Sequence, residues 1–249
     1  MFFINFYIQR LVTLDGFCRT IKEVHFSSGL PVISDADTGF GEAEMCAKTV
    51  WEYFNAGAAG AKLLKLITNI LFFLGLHLED QQYPKKSGQL QGALLVKIEE
   101  MTKKIEKSVD ASKKCSNGDF LIAARTDARQ TEEGLEGVIE RLKKYVDAGA
   151  DMVLPNGLFS KEEFSLVAKE LSKYGPKGGP IMMANMTEFG VTPIISLKEF
   201  KEMGYNCVLY PVSPLRVAMK AVDDFLVDIK EKGSQKDYIE KYINFGGFK

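Results

Sequence analysis

Asp35 and Asp37 stand two residues apart in PVISDADTG, and His77 and Glu79 stand two apart in LHLED. Residues i and i+2 of a β-strand share a face, so each pair points one way and three carboxylates can converge. Such a cluster repels itself unless a cation sits among its members. Hard oxygen donors suit Mg2+, which keeps several waters and binds through a few carboxylates plus substrate oxygens. A second reading is local, because aspartate at a strand end is common in turns. Polar residues close other apolar runs as well: Arg125 in FLIAARTDA, Asn156 in DMVLPN and Asn185 in IMMANM. After LHLED comes QQYPKKSGQL, which reads as a mobile catalytic loop yet holds no cysteine and no histidine.

The elements that must position these residues follow from the pattern. Six short apolar runs read as strands: PVISDADTG, LHLED, FLIAARTDA, DMVLPN, IMMANM and CVLYPV. Amphipathic stretches alternate with them, beginning with EAEMCAKTVWEYFNAG, a helix expected to stop at Gly57, and ending with PLRVAMKAVDDFLVDIKEKG and SQKDYIEKYIN. Strands alternating with helices argue for βα units and a parallel sheet. The polar residues cluster where strands end, which is where α/β barrels place their chemistry. A doubly wound open sheet would usually carry a G-x-G-x-x-G turn after its first strand, and the chain has none. At 249 residues and 46% hydrophobic, the chain can bury a sizeable core as one large domain over residues 1–249. Lysines and arginines (32) balance aspartates and glutamates (33) without a basic stripe, so nucleic acid is not an expected partner. Cys18, Cys46, Cys115 and Cys207 form no C-x-x-C pair, which disfavours a zinc site or a disulfide framework and fits a reducing compartment. MFFINFYIQRLV is too short to span a bilayer and lacks a transit or cleavage pattern. A cytoplasmic protein with no membrane partner is the expectation, with a mitochondrial location left open.

VISDADTGFG, LHLEDQ, KKSG, ARTDA, EEGLEGVIERLKKYVDAGAD, NMTEFGVTP and YPVSPLRVAMKA, in that order, resemble the isocitrate lyase and phosphoenolpyruvate mutase superfamily, and within it the methylisocitrate lyases. The resemblance runs from about Thr13 to Tyr242. It implies a (β/α)8 TIM-type barrel with Mg2+ at its C-terminal mouth, assembled as a homotetramer that exchanges C-terminal helices. It also implies retro-aldol cleavage of a small carboxylate substrate to pyruvate and succinate, with a cysteine protonating the succinate carbanion. On this resemblance Asp35, Asp37 and Glu79 match the metal-shell carboxylates. Arg125 matches the arginine that orients a substrate carboxylate, a task for its planar fork, although a barrel salt bridge is the plainer alternative. Asn185 and Thr187 match positions that hydrogen-bond the far carboxylate, and Lys85 matches a lysine that assists the acid. EKGSQKDYIEKY and NMTEFG favour the lyases over the mutases.

The chain departs from this pattern where protons are handled. Methylisocitrate lyases carry K-[KR]-C-G-H, whereas this chain reads Lys85, Lys86, Ser87, Gly88, Gln89. A thiol has a reference pKa of about 8.5 and can be tuned downwards, while a serine hydroxyl needs an adjacent base that Gln89 cannot supply. Ser87 therefore stands as a weak catalytic candidate, with Gly88 and Gln89 as substrate contacts beside it. Asn156, a further candidate contact, occupies a position where the family usually has glutamate. The scaffold departs too. Two strands and an aspartate that the family places ahead of VTLDGF are missing, so six strands would leave an open barrel with unpaired edges. AKLLKLITNILFFLG, Ala61–Gly75, is an insertion expected to form an apolar loop on the face away from the chemistry, of the kind retained intron sequence would produce. Three activities stay open: a methylisocitrate-lyase-like enzyme impaired at its acid, a phosphonopyruvate, phosphoenolpyruvate-mutase-like or oxaloacetate-hydrolase-like enzyme, and a non-catalytic dicarboxylate-binding or assembly protein.

Overall fold

The computed structural model describes residues 12–68, 74–87, 92–176 and 178–242. All six expected strands form: β1 (Ile33–Asp35), β2 (Leu74–Glu79), β3 (Phe120–Thr126), β4 (Met152–Pro155), β5 (Ile181–Asn185) and β6 (Cys207–Leu209). They make one curled sheet in sequence order, each neighbouring pair parallel. Helices separate them: α1 (Leu14–Ser28), α2 (Ala43–Thr68), α3 (Ile98–Ser116), α4 (Gly134–Asp147), α5 (Lys161–Leu171) and α6 (Leu197–Glu202), followed by α7 (Ser213–Lys232) and α8 (Lys236–Tyr242). Parallel strands need such crossovers, and the helices cover the outer face of the sheet.

Side chains alternate along each strand and so divide the core in two. Ile33, Ala123, Met152, Leu154, Met183 and Leu209 pack together inside the curl. Their neighbours Leu76, Leu78, Ile122, Ala124, Val153, Met182 and Ala184 face the helices, against Val50, Tyr53, Ile105, Leu142, Phe164 and Phe200. Each fully buried large side chain contributes about 1.5–3 kcal/mol, so this outer layer carries most of the stability. The register then aligns the polar strand ends laterally, with Asp35 opposite His77, Glu79 opposite Arg125 and Asn185 opposite Leu209. Among the described residues β1 and β6 are the outer strands of the sheet. Phe17, Ile21 and Val24 of α1 line the inner cavity together with Leu209.

Two expectations need correction. Gly57 does not end its helix, because α2 runs on to Thr68 and takes in the first eight residues of the Ala61–Gly75 segment. Each interior glycine, Gly57 and Gly60, costs only about 1 kcal/mol, and the run AKLLKL that follows is rich in good helix formers. The far end of the segment is strand rather than loop: Gly75 pairs with Ile33 and Leu121 at once. A Cβ there would come within 2.7 Å of the Leu121 carbonyl oxygen, so glycine is what lets β2 approach β3. Residues 69–73 of that segment, and the N-terminal run up to residue 11, lie outside the described residues. No helix among the described residues is long and apolar enough to cross a membrane.

Candidate active site

The strand ends bring Asp35, Asp37, His77, Glu79 and Arg125 together, but Asp37 arrives by another route than strand periodicity. β1 stops at Asp35, and Asp37 sits in the following turn with a left-handed backbone, φ 48°. Its amide donates to Asp35 Oδ1 at 2.8 Å, so the turn itself is built on the first aspartate. Glu79 N–H donates to the Asp37 carbonyl at 2.9 Å and fixes the turn against β2. The metal reading and the turn reading of D-x-D thus describe the same residues in the same place. His77 and Glu79 do share a face of β2, and the His77 Nδ1 stands 3.5 Å from Asp35 Oδ1.

Two cations serve this acidic cluster. Lys85 Nζ is ion-paired with Asp37 Oδ1 and lies 3.3 Å from Glu79 Oε1. Arg125 Nη1 lies 2.9 Å from Glu79 Oε2. Burial pushes the Glu79 carboxyl up to about 7 in spite of Arg125 and Lys85. Burial and the neighbouring Asp35 raise Asp37 as well. For Asp35 burial works in the same direction, but His77, Lys85, Arg125 and the Asp37 amide outweigh it and hold the carboxyl at about 2. His77 is itself pushed down by burial and is neutral at neutral pH.

Arg125 is clasped rather than free. Its Nε and Nη2 donate to Asp127 Oδ1 at 3.3 and 3.0 Å, and Nη2 also reaches Asp127 Oδ2 at 3.0 Å. With Nη1 turned to Glu79, little of its fork remains for a substrate carboxylate. From Asp127 a row of amides crosses the mouth. Asn156 Nδ2 donates to Asp127 Oδ1, Asn185 Nδ2 donates to Asn156 Oδ1 at 3.0 Å, and the Thr187 hydroxyl donates to Asn185 Oδ1 at 2.9 Å. Asn156, Asn185 and Thr187 are thus joined into one unit. Ser87 is half-buried two residues beyond Lys85, and Gly88 and Gln89 lie outside the described residues. Two spaces adjoin the site. An inner cavity of about 70 Å³ is lined by Asp35, His77, Arg125 and Asn185, and a larger one of about 800 Å³ by Asp37, Gln81, Lys85 and Lys104.

No group of three or more His, Cys, Asp or Glu residues among those described encloses a metal position. The donor chemistry nevertheless fits Mg2+, which takes only one or two protein carboxylates and keeps its waters. Both Glu79 oxygens are buried and have no directed hydrogen bond among the described residues, only the two ion pairs. They retain acceptor capacity toward a cation.

The family model of phosphoenolpyruvate phosphomutase matches residues 71–230. The chain belongs to that family. It is 44% identical over 231 residues to the 2-methylisocitrate lyase of Aeropyrum pernix, a match covering 93% of this chain and 66% of the relative. The crystal structure of 2,3-dimethylmalate lyase, a member of the phosphoenolpyruvate mutase and isocitrate lyase superfamily, superposes with a TM-score of 0.75 at 32% identity, covering 90% of this chain and 67% of that one. Oxaloacetate acetylhydrolase in complex with 3,3-difluorooxalacetate gives 0.75 at 30% identity over 90% of this chain and 68% of that one. The chain spans about two thirds of the length of these relatives.

Within this phosphoenolpyruvate phosphomutase fold, sequence reasoning passed over three buried residues. Asp127 holds Arg125 and Asn156. Gln81 donates to Asp127 Oδ2 at 2.8 Å. Asp80 accepts from the Asp127 amide at 3.1 Å and is held from behind by Tyr145 at 2.8 Å and Arg141 at 3.4 Å. Each directly follows a candidate in the chain or lies within two residues of one, in EDQ after Glu79 and RTD after Arg125. An acidic residue just past a buried strand end was the available signal.

Proposed function

We propose that the chain binds a small di- or tricarboxylate together with Mg2+ and that its reaction is the cleavage of a carbon–carbon bond, as in the 2-methylisocitrate lyases. The observation that carries this reading is the pairing, at one end of the sheet, of an acidic cluster at Asp35, Asp37 and Glu79 with the amide row Asn156, Asn185 and Thr187. Asp35, Asp37 and Glu79 would hold the ion, which supplies stabilisation for the oxygen that gains charge as the bond breaks. Asn185 and Thr187 orient the distant carboxylate, with Asn156 fixing Asn185. Arg125 supplies its positive charge mainly as a buried neighbour of Glu79. Lys85 holds a proton between Asp37 and Glu79, burial being outweighed by Asp35 and Glu79 so that its pKa lies above the ordinary value. Ser87 stands where the family's acid stands, and a hydroxyl is a far weaker acid than a thiol, so turnover is expected to be low.

A second reading has an observation of its own. With Ser87 and Gln89 in the loop, a dicarboxylate-binding protein without turnover uses the same residues. Assays with methylisocitrate, isocitrate, oxaloacetate and phosphonopyruvate in the presence of Mg2+ separate the readings. Pyruvate from methylisocitrate supports the lyase. Turnover of oxaloacetate or phosphonopyruvate alone points to the other branches of the superfamily, and binding without turnover supports the second reading. Assembly belongs to the proposal too. α7 has no buried residue and exposes Leu215, Met219, Val222 and Leu226, an apolar face suited to a second copy of the chain in a homotetramer. All four cysteines are free, as a reducing, cytoplasmic location requires.

A further inference from the structure

The Gln81 side chain fastens the loop that carries Lys85 and Ser87 to the substrate end of the site. Gln81 is buried, and its backbone is fixed by a bridge to Leu95 while the next amide, Gln82 N–H, donates to Leu94 O at 2.7 Å. From this anchored position its carboxamide meets the peptide of Lys86 as a strand partner would. Lys86 N–H donates to Gln81 Oε1 at 2.8 Å, and Gln81 Nε2 donates back to Lys86 O at 3.0 Å. The same Nε2 donates at 2.8 Å to Asp127 Oδ2. Asp127 in turn grips Arg125 and the Asn156–Asn185–Thr187 row. One continuous run of hydrogen bonds therefore joins the loop backbone to every side chain assigned to the substrate.

Residue chemistry makes this run specific to glutamine. Its amide offers an acceptor and two donors, and all three contacts use them. Glutamate at position 81 would have no donor for Lys86 O and would set a second carboxylate against Asp127; leucine would fill the space and make none of the bonds. Lys86 follows Lys85 directly, so holding its peptide also fixes the origin of the Lys85 side chain that reaches Asp37 and Glu79.

We propose that Gln81 and Asp127 are positioning residues that set the place of the Lys85–Ser87 segment relative to Arg125, Asn156 and Asn185. The proposal rests on the dicarboxylate reading only for what this placement serves; the fastening itself belongs to the ligand-free protein. It is tested on the full chain by limited trypsin digestion with site-resolved mass spectrometry, comparing wild type with Gln81→Leu and Gln81→Glu. Loss of these buried hydrogen bonds should raise cleavage after Lys86 roughly tenfold in both variants, with cleavage after Lys232 on α7 changed less than about twofold. In wild type, Mg2+ plus succinate should slow cleavage after Lys86, and this protection should vanish in Gln81→Leu. A rise of less than about threefold after Lys86 in both variants overturns the proposal, as does an equal rise after Lys232, which would mean general loosening. Should wild type show no protection by Mg2+ and succinate while the variants still open after Lys86, the dicarboxylate reading fails and the positioning role stands.

Discussion

Replacing Glu79 by glutamine isolates one electrostatic cost in the site. Burial raises this carboxyl from its ordinary 4.5 to about 7 in the folded protein, more than Arg125 and Lys85 can offset. A group that holds its proton more tightly when folded adds stability below its unfolded pKa and loses that contribution as pH rises through the folded value. The window is therefore 4.5 to about 7. At about 1.4 kcal/mol per pH unit the contribution is about 3 kcal/mol. Asp35 acts in a separate window with the opposite sign: held at about 2 instead of 3.8, it adds stability above 3.8 that is lost as pH falls toward 2. Glutamine imitates the protonated glutamate at every pH. The Glu79→Gln protein should then exceed wild type by about 3 kcal/mol near pH 8 and by less than about 1 kcal/mol near pH 5. Urea unfolding followed by circular dichroism across this range, with EDTA present, measures the difference. Parallel pH profiles would refute the assignment. A variant less stable than wild type near pH 8 would show that attraction to Arg125 and Lys85 outweighs burial.

Saturating Mg2+ should raise the melting temperature of wild type by mass action, about 2.7 kcal/mol of added stability at a hundredfold excess over Kd, and Asp37→Ala should abolish the shift; an unshifted wild type removes the metal from the proposal. Tyr145→Phe should cost about 1–2 kcal/mol in urea unfolding, since it strips the buried Asp80 Oδ2 of a 2.8 Å donor; a neutral result would mean that Arg141 suffices for that oxygen. Ser87→Cys combined with Gln89→His should raise pyruvate release from methylisocitrate by part of the roughly 10²–10⁴-fold that general acid catalysis contributes. Equal and substantial rates with and without the repair would mean that Ser87 is not the impaired acid.

The strands were legible because each is a short β-branched or aliphatic run closed by a polar residue, and two-residue periodicity sorts their side chains without further information. The far end of α2 was not. Gly57 carries the usual stop signal, yet helix continuation is settled by the residues beyond it, and the penalty of Gly57 and Gly60 is too weak to decide. Asp37 illustrates a different limit. The D-x-D spacing suggested a shared strand face, and the side chains do meet, but through a turn in which Asp35 caps the Asp37 amide. The spacing was informative although its geometric reason was not the one expected. Asp127 and Gln81 escaped notice because their importance lies in contacts between β2, the loop after it and the end of β3, 46 residues apart in the chain. Such contacts appear only once strand order places β2 beside β3.

Asn156 shows how the departures from the family pattern fit together. It donates directly to Asp127 and accepts from Asn185. The glutamate usual at this position would press a second carboxylate against a buried one, and one of the two would have to take up a proton or move away. An amide removes that conflict, because one end donates to Asp127 and the other accepts from Asn185. Asp127 can then keep its grip on Arg125 and Gln81. The change that takes a carboxylate from the mouth thus secures the framework around it. At position 87 the chemistry is different, because the Gln81 bonds that hold the loop run to the Lys86 backbone rather than to the side chain that follows. The two departures therefore differ in kind: the one at 156 is built into the site's hydrogen bonding, while the one at 87 exchanges a thiol for a far weaker acid and falls on proton transfer.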